Sequence, residues 1–220
     1  MCGRYKSCIE DETLVRIIER ERVGNAARYL TREEVFPGAE VPVIYGSYST
    51  VRAHMSTWGF TAPGTGAATD SAGCMRNKSG VSVGTTGVAV PEETSAAGQL
   101  IINARAESVT QKSVFKSAFY TLRTLIPASG YYEWMGRVKY YIAPRQGKTL
   151  LLAGIAAQDN LGAWRHVILN RHADEEISHI HDRMPLVIGR DDMKNWLYDD
   201  SFATSRLRGN YAAGVTVQAI

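Results

Sequence analysis

The stretch Thr124-Leu125-Ile126-Pro127-Ala128-Ser129-Gly130-Tyr131-Tyr132-Glu133-Trp134, continued by Met135-Gly136-Arg137 and a second run from Val138 to Ala143, decides the class of fold. Aromatic and aliphatic residues dominate both runs, and a glycine-centred turn separates them, so residues 124–134 and 138–143 are predicted to be strands joined as a hairpin. Outward from it, residues 41–45, 51–60, 100–105, 149–157, 163–170 and 214–220 are further short apolar runs bounded by turn-forming residues, and each is predicted to be a strand. Helices are fewer. In residues 11–22, Leu14, Ile17 and Ile18 recur at helical spacing between charged residues, and shorter helices are predicted at 173–180 and 191–198, the last opening on an aspartate able to cap it. Strands and helices do not alternate regularly, so the expectation is an α+β fold: a curved, mainly antiparallel, barrel-like sheet system with peripheral helices.

A chain of 220 residues with 45% hydrophobic and 21% charged residues can bury one good core, so a single domain over residues 1–220 is expected. The net charge of +3 permits an acidic partner without demanding one. Three cysteines, Cys2, Cys8 and Cys74, make an odd number without a paired motif, which points to a reducing, cytoplasmic compartment. No run approaches the length of a membrane span, so no membrane partner is expected. Residues 63–99 are rich in Gly, Ala, Ser and Thr, hold no aromatic residue and follow neither period, and are read as a long mobile loop.

Four short segments place polar groups where strands would favour apolar ones. Cys2 follows Met1, and trimming of Met1 would leave an α-amine and a thiol on one residue, a 1,2-aminothiol that condenses with an aldehyde to a Schiff base and then closes a five-membered thiazolidine ring. Ile102-Asn103-Ala104-Arg105-Ala106-Glu107 ends a strand in an amide, a guanidinium able to grip phosphate and a carboxylate able to pair with it. Glu133 stands among aromatics, where burial would raise its pKa into the range of a proton shuttle, the alternative being a structural carboxylate satisfied by backbone amides near the hairpin. His179-Ile180-His181-Asp182-Arg183 offers imidazoles that titrate near neutrality, but its spacing with Cys2 or Cys8 does not match a zinc site, so no metal is expected.

Met1-Cys2-Gly3-Arg4-Tyr5, Trp58-Gly59-Phe60, residues 102–107, Phe115-Lys116, residues 127–134 and His181-Asp182-Arg183-Met184-Pro185, taken in order, resemble the SRAP family of SOS response-associated peptidase-like proteins. The resemblance implies a strand-rich SRAP fold and a sensor of abasic sites in single-stranded DNA that attaches covalently to the lesion through a thiazolidine and shields it, with lyase-like and cysteine autopeptidase activity beside it. It implies Cys2 as nucleophile and crosslinking residue, Asn103 as the group that positions the N-terminus or the lesion sugar, and Arg105 as the holder of a flanking phosphate. Glu133 would shuttle protons, and His181 would protonate the sugar ring oxygen. Arg4 is read as a phosphate contact or a structural pair, and Trp58 as a contact to DNA. No cofactor is implied, the partner is single-stranded DNA containing abasic sites, and a monomer is expected, nucleoid-associated in a bacterium. After Phe60 this chain continues Thr61-Ala62-Pro63-Gly64 where the family usually has proline and a second tryptophan, so a stacking wedge is expected to be missing. Two other readings use the same residues: a Cys2-dependent peptidase, and a non-covalent module for single-stranded DNA.

Overall fold

The structure, a computed structural model, describes residues 2–21, 31–61, 100–147, 149–209 and 214–220; the stretch 63–99 read as a loop lies outside them. Fifteen strands and five α-helices follow one another among the described residues. The predicted hairpin forms β9 (Gly130–Met135) and β10 (Val138–Pro144), paired from Val138 opposite Met135 to Ile142 opposite Tyr131. Gly136, in the two-residue turn, takes φ +63, a conformation a side chain would strain. On the other edge of β9 lies β1 (Tyr5–Cys8), and β1 in turn pairs with β2 (Thr31–Val35). With β15 (Val215–Ala219) on β10, these strands make a five-stranded antiparallel sheet.

Residues 124–134 do not form one strand. β8 (Arg123–Ala128) belongs to a second, larger sheet, and the chain changes sheets at Ser129. Ser129 donates its N–H to Lys6 O at 2.9 Å, and a Cβ on Gly130 would stand 2.5 Å from the Tyr141 ring and 2.6 Å from Ile142 O, so only glycine passes there. The larger sheet also contains β3 (Glu40–Ser47), β4 (Thr50–Trp58), β11 (Leu150–Gln158) and β12 (Trp164–His172). Their pairings run β12, β4, β3, β8, β11 and back to β12, returning to their start. All these ladders are antiparallel except that between β12 and β4. β7 (Asn103–Arg105) also joins β12 in parallel, and β13 (Arg183–Pro185) and β14 (Val187–Ile188) add to β12 and β11. The expected strand at 100–105 is broken at Ile102: β6 (Leu100–Ile101) pairs instead with β5 (Phe60–Thr61). The fold is thus strand-rich α+β with mixed sheets.

α1 (Glu12–Arg20) starts where its cap dictates, with Asp11 Oδ1 accepting from Thr13 N at 3.0 Å and Leu14 N at 3.1 Å, and it buries Leu14 and Ile18, one turn apart. α2 (Ser113–Thr121), which sequence patterning did not bring out, buries Phe115, Ala118 and Phe119. α3 (Glu175–Ser178) is the shorter core of the helix expected at 173–180. The helix expected at 191–198 is α4 (Met193–Tyr198), which starts two residues later, so that Asp192 and not Asp191 stands at its N-terminus, without a side-chain bond to the helix, and pairs with Arg206 of α5 (Asp200–Arg206). No helix among the described residues is long and apolar enough to cross a membrane.

Candidate active site

Two buried clusters fill the molecule. One lies beneath the helices around Leu14, Phe115, Phe119, Leu125 and Trp196. The other gathers Cys2, Tyr5, Trp58, Tyr131, Ile168, Ile177 and Met184 between the two sheets. The sequence-predicted residues meet at the second. Cys2 is fully buried beside the start of β1, and Asn103 Nδ2 donates to Cys2 O at 2.8 Å, joining residues 101 apart in the chain. Asn103 reaches it because the parallel pairing of β7 with β12, Asn103 opposite Ile168, sets that strand beside the cluster. The Asn103 Oδ1 is buried and accepts from no described residue.

The Cys2 thiol donates to Arg4 O at 3.7 Å. Burial pushes it up to about 12, and the nearby Glu133 carboxylate adds to the shift, so in this environment the sulfur holds its proton at neutral pH. Glu133, on β9 opposite Tyr140, is 3% exposed. Burial raises its carboxyl above the usual range while the neighbouring His181 works against that rise. Glu133 therefore acts electrostatically on Cys2 and is acted on by His181, although the three come from distant segments.

His181 is half-buried, and its Nδ1 lies 3.0 Å from Arg183 N and 2.8 Å from Asp182 Oδ1. A neutral ring accepting from Arg183 N–H keeps its proton on Nε2; an imidazolium gives Nδ1–H to Asp182 and still carries Nε2–H. In both states Nε2 is the atom that offers a proton.

Arg183 is buried and forks onto Glu107 at 2.9 and 2.7 Å, with Asn170 O accepting at 2.5 Å. Burial works to raise the Glu107 carboxyl, but Arg183 wins and holds it below the usual range. Glu107 is therefore not the partner of Arg105. Arg105 is exposed, pairs with no acid among the described residues, and edges a cleft of about 310 Å³ shared with Glu107, Ser108, His172, Asp182 and Arg183. The fork that engages Arg183 leaves Arg105 open to an anion from solvent.

Two expected DNA contacts sit differently. Trp58 is fully buried, its Nε1 donates to Ile102 O at 2.9 Å, and its ring leans on Tyr5 at 5.3 Å. It is a core residue: position 58 faces inward on β4, so no ring face remains for a base. Arg4 binds Glu34 at 3.1 Å and lies 4.4 Å over Phe36 and 4.9 Å over Trp134, an engaged side chain rather than an open cation. Sequence reasoning missed Tyr5 and Tyr131 as neighbours of the sulfur. The signal was present, since Tyr131 and Glu133 are two apart on one strand and so share a face.

Residues 1–216 match the family described as SOS response associated peptidase (SRAP). Among curated relatives, the abasic site processing protein YoaM of Bacillus subtilis is 29% identical over 109 residues, 46% of this chain and 48% of that protein, so the match spans about half of each. YobE of the same organism, also named an abasic site processing protein, is 22% identical over 207 residues, 90% of this chain and 82% of its own. A crystal structure of a protein from Bacteroides thetaiotaomicron superimposes with a TM-score of 0.68 at 16% identity, covering 100% of this chain and 92% of that one, and shares the fold.

Proposed function

The chain belongs to the SRAP family, and from that premise we propose that it acts at abasic sites in single-stranded DNA, capturing the lesion covalently through Cys2 once whatever precedes that residue has been removed. The observation that carries this reading is the meeting of Asn103, Glu133 and His181, from three distant segments, around the buried Cys2. The relatives' names supply the lesion.

In this reading His181 Nε2 gives a proton to the sugar ring oxygen, opening the closed deoxyribose to its aldehyde. The α-amine of Cys2 adds to that aldehyde, and the carbinolamine loses its hydroxyl as water with a proton from Glu133, whose raised carboxyl carries one at neutral pH more readily than an exposed glutamate does. The Glu133 carboxylate then takes the thiol proton, and the sulfur adds to the iminium carbon, closing the thiazolidine. One aldehyde and one aminothiol become one ring and one water. Asn103 holds the Cys2 carbonyl and so fixes the residue that carries both the amine and the sulfur. Arg105 takes a flanking phosphate at the mouth of the cleft. A thiol pushed up to about 12 is a poor first nucleophile, which favours amine-led chemistry on an aldehyde over a thiol-led attack on peptides.

The test is incubation of the protein, its N-terminus verified as Cys2, with single-stranded DNA bearing one abasic site, followed by denaturing electrophoresis. A shifted band that Cys2→Ala removes supports the reading. A band that persists in Cys2→Ala, or its absence from the unaltered protein, overturns it.

A further inference from the structure

Tyr5 and Tyr131 lie directly opposite one another in the β1–β9 ladder, so their side chains leave the sheet on the same face, and Glu133, two residues along β9, shares it. Both tyrosines are fully buried in the cluster that holds Cys2, and neither hydroxyl has a hydrogen-bond partner among the described residues. A buried phenol without a partner costs stability that phenylalanine would not. Burial, and after it the nearby Cys2 sulfur, push both phenols up, so each stays an O–H donor wherever the protein is folded. Two donors without a partner among the described residues therefore share one buried cluster, and an electrostatic neighbourhood, with the Cys2 sulfur.

We propose that the hydroxyls of Tyr5 and Tyr131 are the donors that hold the Cys2 sulfur as a thiolate while it closes the ring, an inference that rests on the aldehyde-capture reading above. In the protonated state described here the thiol gives its hydrogen to Arg4 O. Once Glu133 has taken that proton, the sulfur has nothing to donate and the Arg4 carbonyl oxygen repels it, so it turns to the two phenol O–H groups. The phenols lose no proton in this step: the thiol proton moves to Glu133, and the sulfur's electron pair forms the carbon–sulfur bond. Donors fixed in advance at a developing anion, inside a site closed to water, are the arrangement that stabilises it most. The charged groups around this set are Glu133 on β9 with His181 and Asp182 beside it, Arg32 of β2 facing Tyr5, and Arg171 with Asp174 facing Tyr131.

The experiment compares the unaltered protein with Tyr131→Phe, Tyr5→Phe and the double variant. Each substitution removes only a hydroxyl with no described partner, so the melting temperatures are expected to hold or rise. Single-turnover adduct formation with abasic single-stranded DNA, followed across pH, is expected to slow about tenfold in Tyr131→Phe at neutral pH, with the ionisation that limits it moved up by about one pH unit, and further in the double variant. In parallel, alkylation of Cys2 by iodoacetamide without DNA, located by peptide mass spectrometry, should need a higher pH in the variants. Adduct rates and pH profiles equal to those of the unaltered protein in all three variants would overturn the proposal. If the unaltered protein forms no adduct at all, the capture reading fails, and the alkylation profile still decides this one: a shift upholds the phenol donors and an unchanged profile rejects them.

Discussion

The two buried clusters are built from similar strands and serve opposite ends. The one beneath the helices is mainly apolar, with Phe119 edge-on to Trp196 at 6.2 Å and the aliphatic face of α1 against it, and the buried charge at its edge, Arg123, is satisfied by Trp196 O, Phe119 O and Asp200. The other admits a thiol and two phenols, and abuts a carboxylate and an imidazole. Each polar group there lowers the stability that burial would otherwise confer, and each is a group the proposed chemistry needs. On the proposed reading, stability is concentrated where the helices pack, and reactivity where the two sheets face each other.

The sharpest way to break this contrast is Glu133→Gln. Its raised carboxyl means that folding disfavours the charged form, so a neutral amide should melt at or above the unaltered protein at pH 7, while adduct formation falls at least about a hundredfold; a lower melting temperature with intact chemistry would reverse the assignment. Phe119→Ala should do the opposite, costing about 3–5 kcal/mol in denaturant unfolding while leaving adduct rates unchanged well below the transition.

Acid probes the same inner face of the larger sheet. His166 is fully buried against Ser56 Oγ at 3.0 Å, and His54 stacks on Trp164 at 4.6 Å. Burial pushes His54 down to about 4 and His166 to about 3 from an ordinary 6.5. Between those values the unfolded chain binds more protons than the folded one, so stability present above pH 6.5 is lost as pH falls. At pH 5 the loss is about 2 kcal/mol per histidine, read from melts at pH 7 and 5. A flat profile would show that the imidazoles are hydrated in solution. The smallest effect is expected from Asp11→Ala, which removes the α1 cap and costs about 1 kcal/mol in the same denaturant assay without touching the adduct rate.

Much of the local structure was legible. The Gly136 hairpin, the Asp11 helix start and the apolar runs that became β3, β4, β10, β11 and β12 are short-range signals, set by turn chemistry and side-chain periodicity. The sheet change at Ser129 was not, because the run on either side of it is equally apolar and the break is imposed by Lys6 and Tyr141 from other strands. α2 was passed over although Phe115, Ala118 and Phe119 have helical spacing, since nine residues with few flanking signals resemble a loop until Phe60 and Trp196 cover them.

The sequence by itself determined most of the longer strands, the residue that would carry the proposed aminothiol chemistry, and the family to which the chain belongs, because those rest on neighbouring residues and on short motifs in order. Only the tertiary structure decided that Trp58 turns inward, that Glu107 is held by Arg183 rather than Arg105, and that Tyr5, Tyr131 and Glu133 surround Cys2. The physical reason is that burial, and with it the ionisation of a thiol or a carboxyl, is set by groups far away in the chain, Glu133 acting on Cys2 from 131 residues off, and their meeting depends on strand order and register.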